Sequence, residues 1–453
     1  MIEMTLSQIV TLCDGQLIGT DCQIASVSTD SRNIDKYGLF VALIGERFDA
    51  HNFVNTAQEK GAIALLVSRQ LDSELPQVIV RDTQKALGLI AANVHQQCDT
   101  FTFALTGSCG KTTVKEMLAS ILQRSGHVLA TAGNFNNEIG VPLTLLRSRP
   151  SDDFAVIELG ANHQNEISYT TQLACPNVAL VNNVAAAHLE GFGSLKGVAK
   201  AKGEIFEGLQ SNGIAIYNLE SNGLPEWASL FDGKTVLSFS MDNSTADFYA
   251  SDIKVNSIGE STFMLNTPIG GISVSLAVIG KHNIANAVAA TALALQANCS
   301  LKDIQQGLQG LNNVKGRVAV EVLASGLKVI DDTYNASVPA VKAAVDLLGE
   351  FNAQRWLVLG NMAELGEESL ALHREVGEYA APYQFEQVLT FGDDTKVISE
   401  LCNGHHFETR NALNKYLLQE LQLIKNNEVT VLVKGANSSR MSEVVSALKE
   451  CQQ

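Results

Sequence analysis

The sequence predicts an α/β protein of three domains, with parallel sheets in the central and C-terminal domains and a small α/β domain at the N-terminus. Three observations predict this class. A chain of 453 residues is longer than one hydrophobic core usually organises. From about residue 100, short apolar runs alternate with amphipathic ones, and after about residue 314 the alternation starts again. We therefore expect domains at 1–98, 99–313 and 314–453.

The composition excludes several classes of protein. Hydrophobic residues make up 46% of the chain and charged residues 18%, which is enough core material to exclude global disorder. The net charge of −16 argues against a nucleic-acid partner, because its phosphates would be repelled. No apolar run approaches the roughly 18 residues that cross a bilayer. We expect a cytoplasmic protein without a membrane span, whose eight scattered cysteines are reduced and lie mostly in the core.

The N-terminal domain is predicted from apolar runs at 38–44 and 62–67 and from one helix over 52–60. Two polar stretches, 28–32 and 45–51, are typical of turns with solvated charges. Composition alone assigns them no function.

The central domain opens with an apolar run at 101–106, a short glycine-containing loop and a helix from Lys111 to about Arg124. A loop between a strand and a helix can cradle phosphates, because its backbone N–H groups point inward at the helix N-terminus. Lys111 can reach phosphate oxygens and the Thr112 hydroxyl can hold Mg²⁺. The loop is shorter than the common pattern, and an ordinary turn before a helix is the alternative. The residues expected to bind phosphate are Gly107, Ser108, Cys109, Gly110, Lys111, Thr112 and Thr113.

Other polar residues follow neighbouring predicted strands at 128–131, 154–160 and 178–183. They are the segment 134–137, Glu158 and His188. Ligands bind beyond the carboxyl ends of strands in open parallel sheets, so these segments are expected to converge with Lys111. Glu158 would be an oxygen ligand of Mg²⁺ and His188 would contact a second ion. Taken singly, a solvated carboxylate and an ordinary histidine are the alternatives.

Residues 213–280 have the composition of a peripheral sheet, and Gly280 opens an Ala-rich helix. Asn283 and Asn286 share one face of that helix and could read an adenine edge, although helix N-capping is a simpler role. Strands predicted at 328–332, 355–359, 387–391 and 430–433 indicate a second doubly wound domain. No Gly-x-Gly-x-x-Gly follows its first strand, which disfavours a dinucleotide.

The chain resembles the Mur ligase family in seven motifs that occur in the same order. The resemblance is strongest to members that act on UDP-N-acetylmuramoyl-tripeptide and D-alanyl-D-alanine, in the segments 30–32, 43–51, 134–140 and 359–368. The seven motifs are Thr-Gly-Ser-x-Gly-Lys-Thr-Thr, Gly-Asn-x-Asn-Asn-Glu-Ile-Gly, Glu-Leu-Gly-Ala-Asn, Asn-Val-Ala-Ala-Ala-His, Gly-Lys-His-Asn-x-x-Asn, Gly-Arg at 316–317 and Asp-Asp-Thr-Tyr-Asn-Ala.

The resemblance implies an N-terminal domain that holds the UDP end of the substrate. It also implies a central P-loop ATPase-like parallel sheet and a C-terminal Rossmann-like doubly wound domain that admits the amino substrate. The implied reaction forms an amide through an acyl phosphate, converts ATP to ADP and phosphate, and belongs to peptidoglycan precursor synthesis. The implied substrates are UDP-N-acetylmuramoyl-tripeptide and D-alanyl-D-alanine, and a monomer is expected.

The resemblance also implies roles for individual residues. Lys111 and Thr112 match the phosphate and Mg²⁺ positions, Glu158 a ligand of the first ion, and His188 a neighbour of the second. Lys202 matches a lysine that becomes a carbamate and orients Mg²⁺. Without the resemblance, the sequence around Lys202 would be interpreted as a helix with solvated lysines. The remaining matches are Asn283 and Asn286 for adenine, Arg317 and Asp332 for phosphate and ribose, Tyr334 for stacking, Ser31 and Arg32 for uridine, and Asn137 for substrate.

Two alternatives to this function stay open at the level of sequence. One is another ligase of the same superfamily, either a different Mur-type ligase or folylpolyglutamate synthase. The other is a P-loop regulatory NTPase without ligase activity.

Overall fold

A computed structural model of the chain describes residues 1–186, 189–256, 259–311, 316–323, 326–424 and 428–450. Within these residues the strands form five sheets, which group into three units along the chain. The α/β class and the parallel sheets of the central and C-terminal units are confirmed. The boundaries at 98/99 and 313/314 remain predictions, and the second of them lies outside the described residues.

The N-terminal unit contains a five-stranded mixed sheet and a two-stranded one. Its elements are β1 (Met4–Thr5), α1 (Leu6–Cys13), β2 (Gln16–Ile18), β3 (Gln23–Ile24), β4 (Ser26–Ser28), β5 (Gly38–Val41), α2 (Val54–Glu59), β6 (Ala62–Val67), β7 (Gln77–Ile79) and α3 (Thr83–Gln96). The larger sheet has the order β2-β7-β6-β5-β4, and β1 pairs with β3. The helix predicted over 52–60 is preceded by a 3-10 turn, Ala50–Phe53, because the Asp49 side chain accepts from the backbone N–H of His51.

The central unit contains a six-stranded parallel sheet of order β13-β12-β11-β8-β10-β9 and a separate antiparallel sheet of order β14-β15-β16. The strand and helix predicted on either side of the glycine loop are β8 and α4. The elements are β8 (Phe101–Thr106), α4 (Lys111–Leu122), β9 (Val128–Ala130), α5 (Gly140–Leu145), β10 (Phe154–Glu158), α6 (Glu166–Ala174), β11 (Val178–Val181), α7 (Leu189–Phe192), α8 (Leu195–Gly203), β12 (Ile214–Asn218), α9 (Leu224–Trp227), β13 (Thr235–Phe239), β14 (Tyr249–Val255), β15 (Ser261–Thr267), β16 (Gly270–Leu276), α10 (His282–Leu295) and α11 (Leu301–Gln309).

The prediction of one peripheral sheet over 213–280 is partly wrong. The first two strands of this region, β12 and β13, extend the main sheet in parallel, and only β14, β15 and β16 form the peripheral one. The reason is that β11 has a free edge on the side away from β8, and β12 pairs along it from Ile214 to Tyr217.

The C-terminal unit has a sheet of order β17-β18-β22-β19-β20-β21, in which only the β17–β18 pair is antiparallel. The predicted strands at 328–332, 355–359, 387–391 and 430–433 are present, extended by at most one residue at either end. The elements are β17 (Ala319–Val322), β18 (Leu327–Asp332), α12 (Val338–Gly349), β19 (Gln354–Gly360), α13 (Ser369–Ala380), β20 (Gln387–Phe391), α14 (Lys396–Leu401), β21 (His405–Phe407), α15 (Arg410–Leu423), β22 (Val429–Lys434) and α16 (Ser442–Glu450).

The N-terminal and central units share one hydrophobic core, which runs from Met4 to Trp227. In it α3 packs against α5 and α6. His95 on α3 makes hydrogen bonds of 2.8 Å to the hydroxyls of both Ser148 and Thr102. Burial lowers the pKa of His95 to about 4, so the imidazole is neutral at physiological pH. The C-terminal sheet has its own clusters on its two faces.

No helix in the described part of the chain is long and apolar enough to cross a membrane. The cysteines in the same residues are all free thiols, as expected. Only Cys98 and Cys299 are buried, so the expectation that most lie in the core is wrong. Cys175 and Cys402, for example, are the C-cap residues of α6 and α14 and are only partly buried.

Candidate active site

A cavity of about 960 Å³ lies at the carboxyl ends of the central parallel strands. One wall consists of the glycine loop before α4, the segments after β9 and β10, and the start of α10. The opposite wall consists of residues near the start of the C-terminal unit and the loops after β18, β19 and β22. A concave, polar-lined cavity at the carboxyl ends of parallel strands is the place where ligands bind in open α/β sheets.

The glycine loop has the geometry of a phosphate-binding turn. Gly110 adopts a φ of +79°, and a Cβ there would come within 2.4 Å of the Oδ1 of Asn286. Only glycine fits this position. Lys111 begins α4 and its Nζ donates to the carbonyl of Gly107 over 2.7 Å. Burial lowers the pKa of Lys111, while the nearby carboxylate of Glu158 opposes that shift.

Two asparagines at the end of β11 hold this loop in place. The Asn183 Oδ1 accepts from the Cys109 N–H over 2.8 Å, and its Nδ2 donates to the Cys109 carbonyl over 3.0 Å. The Asn182 Nδ2 donates to the same carbonyl over 2.9 Å. The sequence assigned neither residue a role, although both lie at the end of the strand predicted over 178–183.

Three of the four segments expected to converge do so around Glu158, which is 2% exposed. The Thr112 hydroxyl donates to its Oε2 over 2.9 Å, and the Asn136 Nδ2 donates to its Oε1 over 2.8 Å. The fourth, His188, lies outside the described residues. In the part of the chain that the structure describes, no group of three or more His, Cys, Asp or Glu side chains could hold a metal ion.

Lys202 is buried, so the alternative interpretation, a solvated lysine on a helix, is wrong. Its exposed fraction is 1% and its Nζ lies 5.4 Å from the centroid of the Phe192 ring. Burial, and next the positive charge of Lys111, lowers the pKa of Lys202 to about 7. Its burial follows from α8, which packs its apolar face inward and accepts a hydrogen bond from Trp227 at Ala199.

Asn283 and Asn286 line the cavity beneath the glycine loop, and neither caps the helix. The residue before α10 is Lys281, and it makes no side-chain capping bond. The Asn286 Nδ2 donates to the Asn283 Oδ1 over 2.8 Å, and its Oδ1 accepts from Asn182 over 3.1 Å. N-capping, the simpler alternative, is therefore wrong, and adenine reading stays a prediction.

The C-terminal wall reaches the glycine loop through two contacts. The Arg317 Nη2 donates to the Thr112 hydroxyl over 2.8 Å, and the Cys109 thiol lies 3.1 Å from the Ser337 hydroxyl. The Arg317 guanidinium also stacks over the Tyr334 ring, 4.1 Å from its centroid.

Asp332 stands on the same wall in a buried ion pair. The Lys434 Nζ lies 2.5 Å from its Oδ2 and donates to the carbonyl of Asn335 over 3.0 Å. Asp332 ends β18 and Lys434 ends β22, and the two strands pair in register at these residues. The sequence placed both at strand ends but did not show that they pair.

The residues expected to bind the other end of the substrate are only partly near the cavity. Ser31 and Arg32 do not line it, and the Arg32 guanidinium is 82% exposed and paired with Asp30 over 2.9 Å. Asn137 lines the cavity, and its Oδ1 accepts from the Gly140 N–H over 2.8 Å at the start of α5. Their roles stay predictions.

Comparison with known proteins shows the family to which the chain belongs. Residues 105–294 match the Mur ligase middle domain, and residues 316–450 match the family model described as Mur ligase, glutamate ligase domain. The chain belongs to the Mur ligase family.

Similarity to individual members extends over the full length. The chain is 51% identical to the UDP-N-acetylmuramoyl-tripeptide--D-alanyl-D-alanine ligase of Escherichia coli, over 99% of both chains. Its structure resembles MurF from Acinetobacter baumannii, with a TM-score of 0.95, 35% identity and 99% of both chains covered. It also resembles a MurF ligase from Thermotoga maritima in complex with ADP, with a TM-score of 0.83 and 26% identity over 94% of this chain and 97% of the other.

Proposed function

We propose that this chain is an ATP-dependent ligase that joins D-alanyl-D-alanine to UDP-N-acetylmuramoyl-tripeptide through an acyl phosphate, in peptidoglycan precursor synthesis. Relatives named for these substrates match over nearly the whole chain. The observation that carries the proposal is a cavity that has a phosphate loop on one wall and the loops of a separate α/β unit on the other. Such a cavity can hold a nucleotide and bring a second substrate to it.

The chemistry explains why a phosphate loop belongs in an amide-forming enzyme. A free carboxylate is a poor acylating agent, because its leaving group would be oxide. Transfer of the terminal phosphoryl group of ATP to that carboxylate supplies a leaving group. Lys111 offsets the repulsion between the two anions, and the N-terminus of α4 adds partial positive charge.

The residues present fit a magnesium ion. The Thr112 hydroxyl and the Glu158 carboxylate are hard oxygen ligands 2.9 Å apart. Mg²⁺ usually takes one or two protein oxygens and completes its shell with substrate phosphates and water. When bound here, the ion would neutralise phosphate charge. We assign a second ion to His188 and Lys202.

Lys202 fits the predicted carbamate. Within the described residues its Nζ makes no hydrogen bond or ion pair, and its pKa of about 7 leaves much of the amine neutral. A neutral amine adds to CO₂ and releases one proton, which leaves a carboxylate-like anion near Lys111. An ammonium at this position would repel a metal ion.

The remaining roles follow from the predictions of the sequence. Asn283 and Asn286 are assigned to adenine, Arg317 and Asp332 to phosphate and ribose, and Tyr334 to stacking on the nucleotide. Ser31 and Arg32 are assigned to uridine, and Asn137 to the muropeptide. A cytoplasmic location and a monomeric state remain predictions.

A phosphate-release assay tests this function. We expect release to require ATP, D-alanyl-D-alanine and a UDP-N-acetylmuramoyl-tripeptide together, with both the meso-diaminopimelate and the L-lysine tripeptides tried. Robust ATP hydrolysis without either co-substrate would identify a regulatory NTPase instead. Ligation of a different amino substrate would identify another ligase of the superfamily.

A further inference from the structure

His163 and Glu166 form an imidazole–carboxylate pair on the cavity wall to which no role has been given so far. The His163 Nδ1 and the Glu166 Oε1 are 2.9 Å apart. The other carboxylate oxygen, Oε2, accepts from the Asn162 backbone N–H over 2.8 Å. The carboxylate is therefore fixed on both oxygens, and it orients the ring through Nδ1. Within the described residues, Nε2 has no hydrogen bond.

The pair lies on a short segment that is held in place by its surroundings. Residues 160–165 follow β10, the strand that ends in Glu158, and Glu166 is the first residue of α6. A Cβ on Gly191 of α7 would come within 1.9 Å of the Asn162 carbonyl, so the two backbones are in close contact. Both His163 and Glu166 line the cavity, and the His163 side chain is 70% exposed. The ring thus borders both the cavity and solvent.

The second half of the proposed reaction needs a proton acceptor. When an amine attacks the acyl phosphate, a C–N bond forms and the C–O bond to phosphate breaks, and the electron pair of that bond leaves on the phosphate. The attacking nitrogen must then lose a proton. An imidazole with an ordinary pKa of about 6.5 suits this task at neutral pH better than a carboxylate with an ordinary pKa of about 4.3.

We propose that the Nε2 of His163 is the general base that takes this proton, and that Glu166 is a positioning residue that orients the ring and stabilises the imidazolium. The inference rests on the proposed function, because it concerns the amine that this function supplies. The exposed edge of the ring passes the proton on to solvent. A base oriented by a third group is the arrangement that recurs in acyl-transfer enzymes.

Three other titratable groups on the cavity wall are already engaged. Glu158 is bonded on both oxygens, Lys111 is bonded to Gly107, and Asp332 is paired with Lys434. His282 is half-buried near Asp332 and Lys434, and this burial lowers its pKa. Of the two histidines that line the cavity among the described residues, His163 is the more exposed.

The test separates the two half-reactions. Hydroxylamine, an uncharged nucleophile at neutral pH, traps the acyl phosphate as a hydroxamate without needing a base. We expect His163→Gln to lower amide formation with D-alanyl-D-alanine by about 100-fold while hydroxamate formation is unchanged. Glu166→Gln should lower amide formation less, again with hydroxamate formation retained. The control is His127→Gln, at an exposed histidine that precedes β9 and so lies at the amino ends of the strands, opposite the cavity; it should change neither reaction.

Each other outcome overturns the inference. Amide formation at the wild-type rate in His163→Gln would show that the ring takes no proton. An equal loss in both half-reactions would show a role in binding or folding, which thermal unfolding and a second variant, His163→Asn, would tell apart. A wild-type protein that makes neither amide nor hydroxamate would refute the proposed function itself, and the inference with it.

Discussion

The two walls of the cavity are built in different ways. The central wall is assembled within one sheet: Asn182 and Asn183 fix the glycine loop, and Thr112 and Asn136 fix Glu158. The C-terminal wall touches the glycine loop through the Arg317–Thr112 and Cys109–Ser337 contacts. The bonds that fix the glycine loop and Glu158 therefore come from within the central unit. We expect that the C-terminal unit can move away and return while the loop keeps its shape.

The largest effect is expected on the central wall, at Lys111. Replacing it by methionine removes the half-buried positive charge that, under the proposed function, faces the transferred phosphoryl group. We expect phosphate release at saturating substrates to fall by about 1,000-fold, in line with the loss of one preorganised electrostatic group. Lys196→Met, at a largely exposed lysine on α8, is the control and should keep full activity. If Lys111→Met kept its activity within tenfold of that of the wild type, the loop would have no direct part in phosphoryl transfer.

A second large effect is expected at Lys202, also on the central side. Because burial lowers its pKa to about 7, the neutral amine that reacts with CO₂ becomes the major form as pH rises through about 7. At limiting CO₂, activity and the carbamate signal in ¹³C spectra with labelled bicarbonate should rise together over that range. Lys202→Ala should lose the signal and most activity, and short carboxylates such as acetate should restore part of it. A carbamate signal unchanged in Lys202→Ala would place the modification elsewhere.

An intermediate effect is expected at the anchor of the loop. Asn183→Ala removes the hydrogen-bond acceptor of the Cys109 N–H and one of the donors to the Cys109 carbonyl. Leaving such groups unsatisfied costs about 1–3 kcal/mol. We expect ATP affinity, measured by calorimetry, to fall by about 10-fold to 100-fold. Asn55→Ala, at an exposed position on α2, is the matched control. An unchanged ATP affinity would show that the loop holds its shape without this anchor.

The smallest effect is expected across the interface. Arg317→Met removes the guanidinium that contacts Thr112 and stacks on Tyr334, while every bond within the central wall remains. We expect the KM for ATP to rise by about tenfold, because that factor corresponds to the free energy that one charge-assisted hydrogen bond contributes to binding. Arg440→Met removes an exposed arginine and serves as the control. A loss as large as that of Lys111→Met would mean that the two walls act as one unit.

Much of the central wall could be predicted from the sequence because its signals are local. The apolar run of β8, the glycines and the amphipathic α4 lie next to one another, and Glu158 ends its own strand. The convergence of strand ends followed from the general behaviour of parallel sheets. These features need no knowledge of which strand lies beside which.

What could not be predicted depends on sheet order and packing. Asn183 reaches the loop because β11 pairs with β8 in a register that sets Val181 beside Thr106. The burial of Lys202 depends on how α8 packs, and its sequence with three lysines resembles a solvated helix. The Arg317–Thr112 contact joins residues 205 positions apart. A single sequence does not show which residues so far apart in the chain are in contact.

The core shared by the N-terminal and central units has a consequence for substrate length. Because side chains from Met4 to Trp227 pack in one cluster, and His95 bonds to both Ser148 and Thr102, the span between these two units is fixed. Under the proposed function, the N-terminal unit holds the nucleotide end of the muropeptide and Lys111 lies where its carboxylate is activated. We then expect the fixed span to select the number of residues in the peptide, so that a shorter precursor would not reach Lys111.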